Sequence, residues 1–153
     1  MHKYKKGFTL IEVLIVIGII SILASVVIVA VNPARQFKQA RDSQRLANVN
    51  GILNAIGQNI SENKGTFSCL GGASFIPTEV LPMKTGTGGY NMAPCLVPDY
   101  LASMPFDPSL QDAHYTSTSS YDTGYTVVQD VNGRITVSAT SEINPATPIS
   151  VTR

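Results

Sequence analysis

Residues 7–31 read GFTLIEVLIVIGIISILASVVIVAV. From Val13 to Val31 the chain has nineteen uncharged residues, fourteen of them Val, Ile or Leu. Each of the fourteen favours bilayer insertion by about 0.3–0.6 kcal/mol, roughly 4–8 kcal/mol together, against at most about 3 kcal/mol for the carboxylate of Glu12. A lone segment in lipid must satisfy its own backbone hydrogen bonds, so we expect a helix. Over residues 8–31 it would be about 36 Å long, enough to cross the hydrocarbon core.

Charged residues are few in the whole chain and unevenly distributed along it. Charged residues make up 14% of the 153 residues and apolar residues 44%, whereas an average soluble domain is roughly one quarter charged. From Leu46 onward four basic residues face eight acidic ones, so this part has a net charge of −4. The +1 net charge of the whole chain provides no general field for nucleic acid. This argues against nucleic acid as a partner without excluding it.

Three interpretations of the N-terminal segment compete. A secretory signal peptide would be cleaved near Ala24 or Ala30, but the apolar run exceeds the 7–15 residues of a signal core. A plain signal anchor explains the length of the run, but it gives no reason for Glu12 at its start. A third interpretation must account for Glu12 and also for the basic leader and the glycine that follows it, Lys5-Lys6-Gly7. Positive residues flank both ends of the run, so charge alone leaves its orientation open.

The motif formed by Gly7, Phe8 and the segment Thr9-Leu10-Ile11-Glu12 resembles the class III signal of type IV prepilins and pseudopilins. The resemblance implies that a prepilin peptidase cuts after Gly7 and methylates the new N-terminus at Phe8. A residue without a side chain lets an extended backbone enter a narrow peptidase cleft. The resemblance also implies that Glu12 pairs with the Phe8 amine of a neighbouring subunit. The alternative is that Glu12 reaches the headgroups or is stabilised by the N-terminus of its own helix.

The resemblance implies a structural function. We expect a filament subunit of a type IV pilus or a type II secretion-like pseudopilus, made as a prepilin and polymerised through its N-terminal helix. Its partners would be the prepilin peptidase/methyltransferase, other (pseudo)pilin copies, the inner-membrane assembly platform and lipid. The N-terminus would be cytoplasmic and the C-terminal domain exported, in a periplasmic or cell-surface filament. The competing hypothesis is a membrane-anchored surface binding protein that does not polymerise. No enzyme and no cofactor are expected, because His114 has no evident nucleophile or metal partner in the sequence.

A second helix is predicted beyond the apolar run. Asn32-Pro33 interrupts the first helix, and Asn at the cap with Pro at the first helical position favours a restart. The helix from Pro33 to about Glu62 carries one apolar stripe that a sheet would cover, formed by Leu46, Val49, Leu53, Ile56 and Ile60. One basic face precedes that stripe: Arg35, Lys38, Arg41 and Arg45. It could bind nucleic acid or anionic lipid. We interpret it instead as a solvated or interfacial collar just outside the membrane, in which Asp42 partly compensates Arg41 and Arg45.

The segment from Lys64 to Pro98 is predicted to be a loop, because it is too rich in Gly and Pro for regular elements. Cys69 and Cys95 enclose twenty-five residues of it. If the C-terminal part is exported, a disulfide between them is expected, and it would stabilise the fold by roughly 3–4 kcal/mol. The alternative is a pair of free, buried thiols. The next segment, residues 96–108, resembles one found at the entry to the sheet of many pseudopilin-like proteins.

The clearest strand signal is a hairpin formed by Gly124–Gln129 and Arg134–Ala139. A three-residue loop with Gly133 as a left-handed bulge would pair Val127 with Val137. This register places the apolar residues on one face, whereas a two-residue turn divides them between both faces. Residues 113–123 are expected to form a polar connector or an edge strand. The tail from residue 141 is expected to be loose.

The resemblance also raises calcium at the hairpin turn, near Asp130 and Asn132, because some major pseudopilins bind calcium in this half of the chain. Turn chemistry explains both residues without a metal.

The predicted fold is α+β, a type IV pilin-like ladle in which a long N-terminal helix packs on a small antiparallel sheet. Its expected segments are a leader (1–7), a transmembrane and assembly helix (8–31), an amphipathic continuation (32–62) and an exported head (63–153).

Overall fold

The computed structural model describes residues 7–69 and 72–153. Two compact units are present, the first ending at Phe37 and the second running from Lys38 to Arg153. The C-terminal unit therefore includes most of the second helix as well as the predicted head. The leader, apart from Gly7, lies outside the described residues.

Helix α1 (Leu10–Val31) has no buried residue, and it is long and apolar enough to cross a membrane. It ends at Asn32, which adopts the left-handed conformation with φ 46°. Helix α2 (Pro33–Glu62) begins at the next residue. The side-chain oxygen of Asn32 accepts a hydrogen bond from the backbone N–H of Arg35 at 3.3 Å. The predicted interruption and restart are confirmed.

The described part of the second unit adds seven strands and one short helix. They are β1 (Ser68–Cys69), β2 (Gly72–Ala73), β3 (Leu81–Lys84), α3 (Ala93–Leu96), β4 (His114–Ser117), β5 (Ser120–Gln129), β6 (Ile135–Ala139) and β7 (Ile149–Thr152). Strands β1 and β2 form a small hairpin. The main sheet is antiparallel, with the order β3-β5-β6-β7, and β4 pairs with β5.

One hydrophobic core joins α2 to the main sheet. Helix α2 contributes Val49, Ile52, Leu53 and Ile56, and the sheet contributes Tyr121, Tyr125, Val127, Ile135 and Val137. Along β5 and β6 buried residues alternate with partly buried ones, as expected of a sheet covered on one face. The α+β fold predicted from the sequence, a long N-terminal helix packed on a small antiparallel sheet, is confirmed.

The hairpin register agrees with the prediction. Val127 lies opposite Val137, and Gln129 lies opposite Ile135. Gly133 has φ 82°, and its N–H donates to the carbonyl oxygen of Asp130 at 3.0 Å. The left-handed glycine closes the turn and fixes which face of each strand is buried.

Three sequence expectations are wrong. Residues 64–98 are not all loop, because β3 lies in this segment and pairs with β5. The tail from residue 141 is not loose, because β7 pairs with β6 and the backbone of Arg153 pairs with Ile135. In the apolar stripe of α2, Leu46 is 46% exposed, whereas Ile52 is fully buried. The first two differences have one cause, since long-range strand pairing recruits segments whose local sequence gives only a weak signal.

Candidate functional site

The predicted cleavage site lies directly before helix α1. Gly7 and Phe8 are outside the helix, and the Phe8 side chain is 89% exposed. A Cβ atom built on Gly7 would meet no atom within 4 Å, so packing in this structure does not demand glycine at this position. A requirement for glycine at position 7 must therefore come from a contact outside this chain.

Thr9 and Glu12 form a capping box at the start of α1. The Thr9 backbone N–H donates to Glu12 Oε2 at 2.8 Å, and the Thr9 hydroxyl donates to the same oxygen at 2.7 Å. In return the Glu12 backbone N–H donates to Thr9 Oγ1 at 3.3 Å. The box satisfies backbone donors that the first turn of a helix otherwise leaves without partners.

The two oxygens of Glu12 are used unequally. Oε2 accepts both hydrogen bonds from Thr9, and among the described residues no group donates to Oε1. Glu12 is exposed in this single chain. The structure thus contains the contact of one alternative, a carboxylate stabilised by its own helix N-terminus, and it leaves one oxygen open to an outside cation. The assembly role of Glu12 stays a prediction.

The surface of α1 is apolar along its whole length. Its Val, Ile and Leu side chains are at least half exposed, from Val31 at 50% to Leu10 and Val29 at 83%. The two serines inside the run have intrahelical partners: the Ser21 hydroxyl donates to the Ile17 carbonyl at 2.7 Å, and that of Ser25 donates to the Ile22 carbonyl at 2.7 Å. Beyond Glu12, lipid or other apolar helices can therefore cover the helix without leaving a polar side chain unpaired.

A second arrangement, which the sequence did not predict, is buried in the C-terminal unit. We call it the Arg45 cluster: Arg45 with Asp42, Asp107 and Glu142. The Arg45 side chain is 3% exposed. Its Nε and Nη2 donate to the two carboxylate oxygens of Asp107 at 2.7 and 2.9 Å. Its Nη1 donates to Asp42 at 2.7 Å, and Nη2 also donates to Glu142 at 2.7 Å. One guanidinium therefore serves three carboxylates from three different segments.

The carboxylates of the cluster also hold the chain after β6. Asp42 accepts hydrogen bonds from the Ser141 hydroxyl at 2.6 Å and from the backbone N–H groups of Glu142 and Ile143 at 3.0 and 3.2 Å. Arg41 donates two hydrogen bonds to Glu142, at 2.8 and 2.6 Å. These contacts fix the turn that leads into β7, which is why the tail is ordered.

The cluster keeps its carboxylates ionised. The hydrogen bonds from Arg41 hold the pKa of Glu142 well below its usual range. Burial by itself raises the pKa of Asp42, but the hydrogen bonds from Ser141, the Glu142 backbone and Arg45 outweigh it, so the net shift is downward. For Asp107 burial again raises the pKa, but the hydrogen bonds from Arg45 and from the backbone N–H groups of Ser109 and Leu110 together outweigh it, so the net shift is downward. The cluster is therefore an ion network at neutral pH.

The collar interpretation of the basic residues is wrong for two of the four. Arg45 is buried, and Arg41 pairs with Glu142, whereas Arg35 and Lys38 are exposed. Two features of the sequence agree with this pairing. Asp42 stands three residues before Arg45, and the acidic surplus after Leu46 needs cations.

The hairpin turn uses Asp130 for its own backbone. Its Oδ1 accepts hydrogen bonds from the N–H groups of Asn132 and Arg134 at 2.8 and 2.9 Å, and its Oδ2 accepts one from Arg134 Nε at 2.7 Å. Within residues 7–69 and 72–153, no group of three or more His, Cys, Asp or Glu side chains could hold a metal ion. Turn chemistry accounts for Asp130 without calcium.

Cys69 and Cys95 form a disulfide. Beside it Asn59, which is buried, donates to the carbonyl oxygens of Ser68 and Cys95 at 2.8 and 3.0 Å. The amide of Asn59 thus ties the end of α2 to both sides of the disulfide. His114 is exposed, and its Nδ1 lies 2.7 Å from the Asp112 carbonyl oxygen.

Residues 2–28 match a family model described as the prokaryotic N-terminal methylation motif. The match covers the segment that contains Gly7, Phe8 and Glu12. No curated protein matches the chain, and no solved structure does.

Proposed function

From the type IV pilin and pseudopilin signature at residues 2–28 we propose that this chain is a structural subunit of a type IV pilus or of a type II secretion-like pseudopilus. It is synthesised as a prepilin, cut after Gly7, methylated at Phe8 and polymerised through α1. The observation that carries the proposal is the bare apolar helix that starts two residues after Phe8. Because α1 has no buried residue in the single chain, it requires lipid before assembly and neighbouring helices afterwards.

Glu12 supplies the electrostatic part of the proposal. Cleavage leaves an ammonium on Phe8, and methylation of this amine preserves the charge. An isolated charge in lipid is costly, so the ammonium and a carboxylate favour each other there. Oε2 of Glu12 is held by Thr9 while Oε1 has no donor among the described residues. The free oxygen can accept the Phe8 ammonium of the adjacent subunit and so set the register of assembly.

The proposed topology follows from the same helix. One N-terminal apolar helix fits single-pass membrane anchoring. We place the N-terminus in the cytoplasm, where the prepilin peptidase/methyltransferase meets it, and the C-terminal unit on the exported side. The Cys69–Cys95 disulfide supports this placement, because disulfides persist in oxidising compartments. The remaining partners are other (pseudo)pilin copies and the inner-membrane assembly platform.

The capping box favours a second candidate, a membrane-anchored binding protein that does not polymerise. In such a protein Glu12 would need no outside partner, since its contacts with Thr9 already stabilise the helix start. The two candidates differ in whether the charge of Glu12 is required.

Two substitutions separate these candidates. Glu12→Ala removes the charge and the side-chain half of the capping box but keeps the hydrogen bond from its backbone N–H to Thr9, whereas Glu12→Gln removes only the charge and can complete the box. Cells carrying each version are fractionated into sheared filaments and membrane-held subunits. If Glu12 pairs with Phe8, both variants are inserted and processed, but both lose filaments. Filaments at wild-type yield from Glu12→Gln would refute the pairing.

Processing is checked on the same material by mass spectrometry of the extracted protein. We expect a mature chain that begins at methylated Phe8. An intact leader in cells with an active prepilin peptidase would contradict the proposed function itself.

A further inference from the structure

Helix α1 begins two residues after the bond that is cut in the proposed function, on which this inference rests. Gly7, Phe8 and Thr9 are all outside the helix, and Thr9 is extended, with φ −83° and ψ 152°. The first helical residue is Leu10. The scissile peptide bond between Gly7 and Phe8 therefore lies in non-helical chain, next to a long continuous helix.

This start point is set by Thr9. Its hydroxyl accepts from the N–H of Glu12 at 3.3 Å, and Glu12 reaches back to the Thr9 N–H at 2.8 Å. A capping box of this kind prevents a helix from starting upstream of the cap, because the N-cap residue must keep non-helical dihedral angles to present its side chain. The helix cannot continue through Thr9 towards Phe8 while these hydrogen bonds exist.

A competing start lies two residues upstream. Glycine is also an acceptable N-cap, roughly as good as threonine. With Gly7 as the cap, Phe8 and residue 9 would become the first two helical residues and Glu12 would no longer reach the cap. Helix formation would then include the residue on one side of the scissile bond. The Thr9–Glu12 box is the feature of this sequence that selects the downstream start.

A peptidase must hold its substrate with reacting atoms aligned, and a chain segment already in a helix must first open. We infer that Thr9 is a positioning residue for the processing of this prepilin: as the N-cap of α1 it has an extended backbone and keeps Gly7 and Phe8 outside the helix, in the form that the prepilin peptidase accepts. Thr9 acts through the helix start and needs no contact with the peptidase. Its loss lowers the fraction of substrate in the cleavable form, so the apparent affinity falls by that fraction.

The test compares full-length prepilin in detergent micelles with two variants, using membranes that contain the prepilin peptidase. Thr9→Ala removes the cap and introduces the best helix former, and Thr9→Ser keeps a capping hydroxyl. We expect Thr9→Ala to raise the KM for cleavage by up to about fivefold, the limit set by a typical cap of about 1 kcal/mol, with kcat unchanged. Thr9→Ser should retain the wild-type KM.

Amide hydrogen exchange on the uncut substrates gives the second measurement. In Thr9→Ala the helix should extend upstream to Gly7, so that the N–H of Ile11 gains the Gly7 carbonyl as its acceptor and becomes protected. In Thr9→Ser the Ile11 amide should exchange as in the wild type. A wild-type KM for Thr9→Ala, or a loss confined to kcat, would overturn the inference, because the hydroxyl would then be irrelevant or would contact the peptidase directly. Wild-type prepilin that is not cut after Gly7 at all would instead refute the proposed function.

Discussion

Replacing Arg45 by Met tests the structural role of the Arg45 cluster. The Arg45 side chain is 3% exposed and donates to Asp42, Asp107 and Glu142. Methionine has a similar apolar stem but no charge, so the variant leaves Asp42 and Asp107 without their buried cation, while Glu142 keeps Arg41 as its partner. Removing one partner of a buried ion pair typically costs about 3–5 kcal/mol. This is a large part of the roughly 5–15 kcal/mol that stabilises an ordinary domain.

Urea unfolding of the full chain in detergent measures this loss. Tyr121 and Tyr125 are buried, and the chain has no tryptophan, so near-ultraviolet circular dichroism reports on the tyrosines of the core. With a urea dependence of about 1–3 kcal/mol per molar, the unfolding midpoint should fall by about 2 M. Lys38→Met is the matched control, because Lys38 is an exposed cation of the same helix. A surface substitution of this kind changes the stability by less than about 0.5 kcal/mol.

The stability of the wild type and that of Arg45→Met should respond to acidification in opposite directions. In the wild type the pKa values of Asp42, Asp107 and Glu142 are lowered. Their stabilising contribution is complete above the unfolded carboxyl pKa of about 4, and it is lost as the pH falls through the folded values. Without Arg45, burial raises the pKa of Asp107, whereas Arg41 and Ser141 still donate to Glu142 and Asp42. Protonation of Asp107 on acidification from neutral pH towards about 5 should therefore stabilise the variant. The reasoning would be refuted if stability depended on pH in the same way in the wild type and in Arg45→Met. It would also be refuted if Arg45→Met had the same urea midpoint as Lys38→Met.

Two further predictions concern the disulfide and the glycines. Peptide mapping without reductant should find the Cys69 and Cys95 peptides joined. Replacing both cysteines by serine should lower the free energy of unfolding by about 3–4 kcal/mol. Two freely alkylated thiols in protein taken directly from cells would contradict both this pairing and the exported topology. Gly133→Ala should destabilise the protein by about 1–2 kcal/mol, because Gly133 has φ 82°. Gly57→Ala in α2 should stabilise the protein by up to about 1 kcal/mol, because the added Cβ meets no atom within 4 Å. Equal effects of the two substitutions in thermal unfolding would show that backbone conformation is not the cause.

Features that depend on neighbouring residues could be predicted from the sequence. The uncharged run of α1 specifies a helix by itself, and Asn32-Pro33 interrupts it through local capping and the missing proline N–H. In the hairpin, the alternation of apolar residues and the left-handed Gly133 select one register. The motif around Gly7 and Glu12 is likewise local, and its partners in the capping box are three residues apart.

Features that depend on distant residues were decided only by the tertiary structure. Arg45 meets Asp107 across 62 residues and Glu142 across 97, so its spacing on the helix could not distinguish a buried cation from an exposed one. Strand β3 is confined to four residues in a segment rich in Gly and Pro, and the four residues of β7 follow a turn that is held by Asp42. A short strand has little stability of its own and forms because a partner strand and a core face are already in place. Local sequence determined the helices and the hairpin, and long-range pairing of charges and strands determined how the C-terminal unit closes around α2.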